Sequence, residues 1–185
     1  MSLRDGGMKV EQLTWSEQSG WQQPAGVADA QMVLAFGHRS VFEQSSFAGD
    51  LASHWPGAIR VGCPTAGQIL GTEVLDDGAV ATAVRFDHTA VRVATSPVTA
   101  EHSAAAGALL AQELAGPDLA HVLILSEGLD INGEALVRGL GETLPSNVSV
   151  TGGLSADGEH FKETLVLCDR TAEKNTVAAI GLYGS

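Results

Sequence analysis

The stretch VGCPTAGQI, residues 61–69, combines a reactive side chain with a turn of small residues. An apolar run ends in Gly62, Cys63 and Pro64, and Thr65-Ala66-Gly67 follows. A cysteine becomes a nucleophile when a neighbouring His or Lys, or a helix N-terminus, lowers its pKa. Small residues after a strand can instead leave backbone N–H groups free to hold a carboxylate or phosphate. The stretch is therefore compatible with a nucleophile, a ligand-binding turn or a tight corner.

Cys63 is a weak candidate for a catalytic nucleophile. His38 would lie near it if the apolar runs 31–37 and 59–63 are neighbouring strands. However, cysteines are usually small packing residues, and Pro64 removes the backbone donor that would follow the nucleophile. We expect a non-enzymatic protein. A hydrolase or transferase that uses Cys63 stays the alternative, and it would require rapid labelling by iodoacetamide near neutral pH.

A second polar group follows the apolar run 121–127, in the sequence LSEGLDINGEAL of residues 125–136. Ser126 does not belong to a G-x-S-x-G elbow, so we expect its hydroxyl to line a cleft at the strand end. Glu127, and Asp130 with Asn132, could bind a ligand ammonium group or a metal. Such acidic and polar residues more often cap the helix that follows them.

Metal and nucleotide sites have no support in the sequence. The histidines show neither H-x-x-x-H nor H-x-H spacing, and Cys63 and Cys168 lack metal-ligand spacing. The stretch GGLSADG, residues 152–158, lacks the lysine of a phosphate-binding loop. We expect no metal and no cofactor. The histidines concerned are His38, His54, His88, His102, His121 and His160.

The composition of the chain argues against two classes of binding partner and indicates a cellular compartment. The 185 residues carry a formal net charge of −12, with only ten scattered basic residues. Binding to nucleic acid or to an anionic membrane depends on clustered Lys and Arg, so we expect neither. The start MSLRDGGMKV has no apolar core of a signal peptide. We therefore expect a cytoplasmic protein, with residues 1–28 as a leader and poorly defined N-terminal segment before a single domain at 29–185.

The elements that position these residues form a pattern that occurs twice. The first occurrence consists of a strand at 31–37, a helix at 43–55 that ends at Pro56-Gly57, and a strand at 59–63. The second consists of a strand at 121–127, a helix from Asp130 or Asn132 to Leu144 that ends at Pro145, and a strand at 148–150. A shift of 89 residues superposes apolar helix positions and both prolines. The superposed pairs are Val33 with Val122, Phe36 with Leu125, Phe47 with Leu136, Leu51 with Leu140, Trp55 with Leu144, Pro56 with Pro145 and Val61 with Val150.

Antiparallel strands should follow each of these units. In the first half, residues 74–75, the turn Asp76-Asp77-Gly78 and residues 79–86 indicate a hairpin, and 90–96 another strand. In the second half, strands are expected at 163–169 and 176–183, and a linking helix at 101–115 joins the halves. The predicted fold is an α/β domain with mixed parallel and antiparallel sheets flanked by helices. It is built from two pseudo-repeated β-α-β-β-β units, at about 31–96 and 121–184.

Three motifs together resemble the FIST N-terminal domain: GCPTAGQ at 62–68, LSEGLDINGEAL at 125–136 and VTGGLSADG at 150–158. The resemblance covers residues 30–184. It implies a bacterial sensory module that binds small ligands such as amino acids in signal transduction and is usually followed by a FIST C-terminal domain. Pro64 and Gln68 depart from the family's usual threonine and acid, so Gln68 would change the preference for a ligand amine. The family's amphipathic starting helix is poorly matched by residues 15–28.

Under the same shift the two small-residue corners correspond, and ligands of open α/β sheets bind outside the carboxyl ends of strands. We therefore expect one small-molecule cleft between or beside the corners. Backbone N–H groups would hold a ligand carboxylate, and Glu127 an amine. An interaction module without a ligand is the third alternative. The expected ligand-binding residues are Cys63, Thr65, Ala66, Gly67, Ser126, Glu127, Thr151, Gly152 and Gly153.

Overall fold

The computed structural model describes residues 2–5, 7–22, 25–158 and 161–184. Within them, eight strands form a first sheet: β1 (Ser2–Asp5), β2 (Met8–Ser16), β3 (Gly20–Trp21), β4 (Met32–Gly37), β5 (Ile59–Pro64), β8 (Ala79–Phe86), β12 (Val166–Cys168) and β13 (Thr171–Glu173). Their order in the sheet is β1-β2-β8-β4-β5-β12-β13, with β3 paired to β2. Only β4 and β5 pair in parallel among its described strand pairs.

A second sheet has four described strands in the order β11-β10-β14-β9. Strands β10 and β11 pair in parallel, whereas β14 is antiparallel to both β10 and β9. A separate hairpin joins β6 (Gln68–Leu70) to β7 (Glu73–Leu75). The strands of the second sheet are β9 (Ala90–Pro97), β10 (Leu119–Ser126), β11 (Ser149–Leu154) and β14 (Thr176–Tyr183).

The helices cover the outer faces of the two sheets. The first sheet is covered by α1 (Arg39–Phe42) and α2 (Ser45–His54), and the second by α3 (Ser103–Leu114) and α4 (Gly133–Thr143). A short 3₁₀ turn, Ala100–His102, precedes α3. Side chains of the inner faces of both sheets meet in a third apolar cluster that includes Met32 and Ile180. The layers are therefore helix, sheet, sheet, helix.

Alternating side chains along the strands produce this layering. In β4, Val33 and Ala35 pack towards α2, while Met32 belongs to the cluster between the sheets. Successive strand residues point to opposite faces, so a strand covered on both sides must be apolar throughout. Phe47 and Leu51 of α2 are fully buried, as the predicted helix face requires. The predicted mixed α/β fold with flanking helices is thereby confirmed.

The predicted helices correspond to observed ones. The pattern over 43–55 is observed as α2, preceded by the short α1, and that over 101–115 as α3. The helix expected from Asp130 or Asn132 is α4, and the side chain of Asn132 caps it by accepting a hydrogen bond from the Ala135 N–H. Leu136 and Leu140 face the second sheet, as expected.

One predicted strand pairing is wrong. Residues 74–75 lie in β7, which pairs with β6 across a turn and not with β8. Both edges of β8 are already occupied, by β2 on one side and β4 on the other. The turn at Asp76 and Gly78 is therefore a connection between a hairpin and a central strand. The expected strand 163–169 is shorter, as β12, and β13 follows it.

The N-terminal residues are part of the first sheet. Strand β2 pairs with β8 from Met8 to Trp15. Residues 15–28, where the family would have an amphipathic helix, contain the end of β2 and β3 but no helix within their described part. The proposed domain boundary at residue 29 stays a prediction, since the structure does not test it.

Each half of the chain contributes one parallel β-α-β unit, β4-α1/α2-β5 to the first sheet and β10-α4-β11 to the second. Some of the strands that follow each unit lie in the sheet of the other unit, whereas β8 and β14 stay with their own. Strand β9 of the first half pairs with β14 in the second sheet, whereas β12 of the second half pairs with β5 in the first. A repeat relationship between the two halves stays a prediction.

Candidate functional site

The predicted corner at Thr65 lies next to the chain that leaves β11, whereas Thr151, Gly152 and Gly153 do not form a second corner but lie within strand β11. Strands β4 and β5 end side by side at Gly37 and Pro64, and the Thr65 N–H donates to the Gly37 carbonyl at 2.9 Å. The chain that leaves β11 reaches this point, because the Ala156 N–H donates to the Pro64 carbonyl at 3.0 Å. A carboxyl-terminal corner of the first sheet and the end of β11 are thus joined by hydrogen bonds.

A first cleft, the corner cleft, lies outside the ends of β4 and β5 and has a volume of about 590 Å³. Of the expected ligand-binding residues, Thr65 and Ala66 line it, whereas Gly67 is not among its lining residues. Gly67 instead lies against the side chain of Val74 in the hairpin. The described residues that line the corner cleft are His38, Arg39, Ser40, Glu43, Thr65, Ala66, Asp76, Asp77, Ala156, Asp157 and Gly158.

The guanidinium group of Arg39, which lines the corner cleft, is already bound by carboxylates. Arg39 donates from Nε to Glu43 at 2.7 Å and from Nη1 to Asp157 at 2.7 Å, and Glu163 lies 3.3 Å from Nη2. Asp157 also accepts hydrogen bonds from the N–H groups of Lys162 and Glu163. Arg39 is therefore satisfied within the protein and is not free to bind a ligand anion.

The ionisation of Asp157 follows from this arrangement. Burial by itself raises the pKa of the Asp157 carboxyl, but the hydrogen bonds from Arg39 and from two backbone N–H groups outweigh it and lower the pKa to about 2. The Arg39 guanidinium has its pKa raised, first of all by the hydrogen bond to Asp157. The pair stays charged at neutral pH and fixes the segment after β11 to α1.

A second cleft, the α4 cleft, lies between α4 and the outer face of β10 and β11, with a volume of about 500 Å³. Four predicted site residues line it, namely Ser126, Thr151, Gly152 and Gly153. The other described lining residues are mostly apolar: Ile124, Gly133, Leu136, Val137, Val150 and Leu154. The two clefts share no lining residue, so the structure divides the expected single site into two.

The register of the strands explains the shape of the α4 cleft. Ile124 and Ser126 of β10 lie on the face that packs against α4, and Gly152 pairs with Ile124 in β11. A Cβ at Gly152 would collide with the backbone carbonyl of Ile124, so glycine is required for the close approach of the two strands.

Ser126 and the start of α4 bring polar groups to the α4 cleft. Ser126 is 0% exposed, and its hydroxyl has no hydrogen-bond partner in the described part of the chain. Gly133, at the first turn of α4, lines the same cleft. The first intrahelical bond of α4 is donated by Leu136 to Asn132, so the earlier N–H groups have no partner within the helix.

Two predicted polar residues are buried away from both clefts. Glu127 is 2% exposed and accepts hydrogen bonds from the Leu129 N–H at 3.2 Å and the Thr164 hydroxyl at 3.0 Å. It lines neither cleft. Gln68 is likewise buried, and its side-chain amide donates to the Gly78 carbonyl at 2.9 Å. Gln68 therefore holds the β6–β7 hairpin against the turn before β8.

Cys63 has the environment of a packing residue. It is 2% exposed in the apolar cluster between the sheets. Burial raises the pKa of its thiol to about 12, although a hydrogen bond with Ser155 acts in the opposite direction. A thiol with this pKa is protonated at neutral pH, whereas the thiolate is the nucleophilic form. The alternative of a Cys63-dependent hydrolase or transferase is not supported.

The described residues contain no group of three or more His, Cys, Asp or Glu side chains that could hold a metal ion. His38 binds Ser40 through Nδ1 at 2.8 Å, and His121 contacts Ser149 and Thr151. His160 lies outside the described residues. Among the helices described, none has the length and apolarity needed to cross a membrane.

Several cleft residues were not predicted from the sequence. Arg39 and Asp157 are 118 positions apart, and no local pattern brings them together. The α4 cleft was missed as a separate site because its wall is the helix face of Leu136 and Val137, which reads as a core-facing surface. The sequence feature that could have indicated this cleft is Gly133, which directly follows the helix cap Asn132.

A family model described as FIST N domain matches residues 31–185, which is most of the chain. It includes all residues of both clefts. No curated protein matches the chain.

Proposed function

The chain belongs to the FIST N domain family, a family of sensory domains in signal transduction, and we propose that it binds a small carboxylate ligand in the α4 cleft. The ligand class comprises small carboxylic acids and amino acids. Binding at this site would provide the input of the sensory domain.

The buried hydroxyl of Ser126 is the observation that carries this proposal. A polar group that is removed from water without a hydrogen bond costs about 1–3 kcal/mol of stability. Ser126 has this cost in the unliganded protein, because no described group binds its hydroxyl. A ligand oxygen in the α4 cleft would supply the missing acceptor. An unsatisfied buried group that lines a cleft is therefore better explained by binding than by folding.

The start of α4 supports a negatively charged ligand. The first N–H groups of a helix carry partial positive charge and commonly bind carboxylates or phosphates. In this chain they lie at the carboxyl ends of parallel strands β10 and β11, where ligands of α/β folds bind. The helix start and Ser126 together provide donors for one carboxylate group.

The remaining surface of the α4 cleft supports a small apolar group on the ligand. Ile124, Leu136 and Val150 form its inner side, while Val137 and Leu154 are half exposed at its rim. Pockets of this size with apolar walls and few polar groups are typical of small-molecule sites. The corner cleft is less suitable for an anion, because Asp76 and Asp77 line it and its arginine is already paired.

Signal output would require that ligand binding favour one of two arrangements of the domain. Strand β11 forms both a wall of the α4 cleft and an exposed edge of the second sheet. A change at this edge could be read by a FIST C-terminal domain or another signalling protein in the cytoplasm. In this proposal the domain acts without catalysis, and its partners are the ligand and the output protein.

A thermal-shift screen over amino acids and small carboxylates, followed by calorimetry, tests the proposal. A ligand at 100 times its Kd should stabilise the protein by about 2.7 kcal/mol. Ser126→Ala should weaken binding of the hit about tenfold, since hydrogen bonds to charged groups are the stronger ones. Thr65→Ala is the matched control, because the Thr65 hydroxyl is also buried without a partner but lines the corner cleft. Loss of binding in Thr65→Ala but not in Ser126→Ala would contradict the assignment of the site.

A further inference from the structure

The α4 cleft contains no acidic side chain among its described lining residues. The lining residues with polar side chains are Ser126 and Thr151, but the register of β11 directs the Thr151 hydroxyl to the opposite face of the sheet, where it lies 2.9 Å from Nε2 of His121. Amino acids carry an ammonium group beside the carboxylate, and a buried ammonium group needs an acceptor or a negative charge. The chemistry of the lining therefore distinguishes between the two ligand classes.

Three acidic residues lie close to the cleft in sequence but do not line it. Glu127 is buried; its Oε2 binds Thr164, whereas its Oε1 has no partner in the described part of the chain. Glu134 is exposed and pairs with Arg138 at 3.8 Å. Asp130 accepts a hydrogen bond from the Ala100 N–H at 3.2 Å. None of the three lines the cleft. The positive end of α4 would in addition repel a cation that enters beside the carboxylate.

We infer that the α4 cleft selects an aliphatic monocarboxylate without an α-ammonium group, an inference that rests on the proposed function. The carboxylate lies at Ser126 and the first turn of α4. The aliphatic tail extends along Ile124, Leu136 and Val150 towards the rim at Val137. An amino acid with the same side chain binds more weakly, because its ammonium group loses water and gains no partner.

Three compounds that share one branched tail separate the contributions of the two charged groups. 4-Methylpentanoate has the carboxylate alone, leucine has both the carboxylate and the ammonium group, and 3-methylbutylamine has the ammonium group alone. Calorimetric titration of the full chain at neutral pH should give a Kd for 4-methylpentanoate about tenfold or more below that for leucine. No binding of 3-methylbutylamine is expected.

A designed charge at the rim provides a second test. Val137 is 53% exposed on α4, so Val137→Glu should fold normally while placing a carboxylate at the cleft. This variant should bind 4-methylpentanoate more weakly and should reduce or reverse its advantage over leucine. Leu109→Glu is the matched control, since Leu109 is 58% exposed on α3 and lines neither cleft. It should leave both affinities unchanged.

The outcomes distinguish this inference from the proposed function. If leucine binds as tightly as 4-methylpentanoate, or more tightly, the selection against ammonium is wrong while the carboxylate site stands. If 3-methylbutylamine binds best, the cleft is a cation site, and both the inference and the proposed function are wrong. If none of the three compounds binds at millimolar concentration, both are likewise wrong.

Discussion

At the scale of single residues, Ser126 is the group whose position is hardest to explain by folding alone. Ser103 is likewise 0% exposed and shows the usual arrangement. Its hydroxyl donates to the Thr99 carbonyl at 2.8 Å and accepts from the Asn132 N–H at 3.0 Å. Ser103 therefore stabilises the junction of α3 and α4, whereas Ser126 has no such role among the described residues. A side chain retained at a cost to stability is a common feature of binding sites.

The two serines give opposite expectations for stability. Ser126→Ala removes an unsatisfied buried hydroxyl, so the unliganded variant should be as stable as the parent chain or more stable by up to about 1 kcal/mol. Ser103→Ala removes two hydrogen bonds and leaves the Asn132 N–H without its acceptor, which should cost about 1–3 kcal/mol. Both serines are 0% exposed in the parent chain, so urea unfolding of the two variants compares two equally buried positions. A marked destabilisation by Ser126→Ala would show that its hydroxyl serves the fold.

At the scale of elements, the position of α4 determines the α4 cleft, and α4 is fixed by close contact with α3. Gly107 of α3 lies against the backbone of Leu136, and Gly139 of α4 lies against the backbone of Ala104. A Cβ at either glycine would collide with a carbonyl oxygen of the facing helix. The two helices can approach closely only because these positions have no side chain. The contact holds α4 over β10 and β11 as one wall of the cleft.

Two glycines in α4 test this contact within the same helix. Gly139→Ala should destabilise the protein by about 1–3 kcal/mol, because the added methyl group forces the helices apart. Gly141→Ala is the control, since an added Cβ there meets nothing within 4 Å. It should stabilise the protein by up to about 1 kcal/mol through the better helix propensity of alanine. Equal effects of the two changes in thermal unfolding would contradict the close contact.

The sequence predicts elements whose determinants are local. The four-residue spacing of Phe47, Leu51 and Trp55 predicts the buried face of α2, because a helix face depends only on its own residues. The pairing of β7 could not be predicted, because it depends on which strands compete for the edges of β8. Strand β2 is not predicted, because residues 1–28 are interpreted as a leader and poorly defined N-terminal segment. Strand order is a long-range property that short patterns do not contain.

The candidate site shows the same limit. Thr65 and Thr151 both follow the predicted corner pattern, and the structure places both in clefts. That these residues line two separate clefts and not one depends on the tertiary arrangement, which the sequence pattern does not specify. The buried Glu127 accepts a hydrogen bond from Thr164, which lies 37 residues away, so no local pattern predicts this contact.

At the scale of the whole molecule, a charged pair links the two halves of the chain. Arg39 follows β4 of the first sheet, and Asp157 follows β11 of the second. The Asp157 side chain is 1% exposed, so the pair is largely shielded from salt and water. Together with the hydrogen bond from Ala156 to Pro64, it attaches the end of β11 to the corner cleft. The relative position of the two sheets at this end therefore depends on Asp157.

Removal of this charge should have a pH-dependent effect. Asp157→Asn should destabilise the protein at neutral pH by about 2 kcal/mol, the range of hydrogen bonds to charged groups. The folded pKa of about 2 lies below the ordinary value of 3.8, so the stabilisation is present above pH 3.8 and is lost as the pH falls towards 2. Melting temperatures of the two proteins should therefore converge between these values.

The matched control is Asp169→Asn, which breaks the pair of Arg60 with a carboxylate that is 53% exposed. Such exposed pairs contribute at most about 1 kcal/mol. A difference between Asp157→Asn and the parent chain that persists unchanged at pH 2 would contradict the role of the Asp157 charge.

The central claim is that the α4 cleft holds a carboxylate between Ser126 and the start of α4. The most direct test is an amide NMR titration of the ¹⁵N-labelled chain with 4-methylpentanoate. The account predicts that the largest saturable shifts occur at the N–H groups of Gly133, Glu134, Gly152 and Gly153, and that they weaken in Ser126→Ala. Shifts that cluster instead at Ser40 and Thr65 in the corner cleft, or no saturable shifts at all, would contradict it.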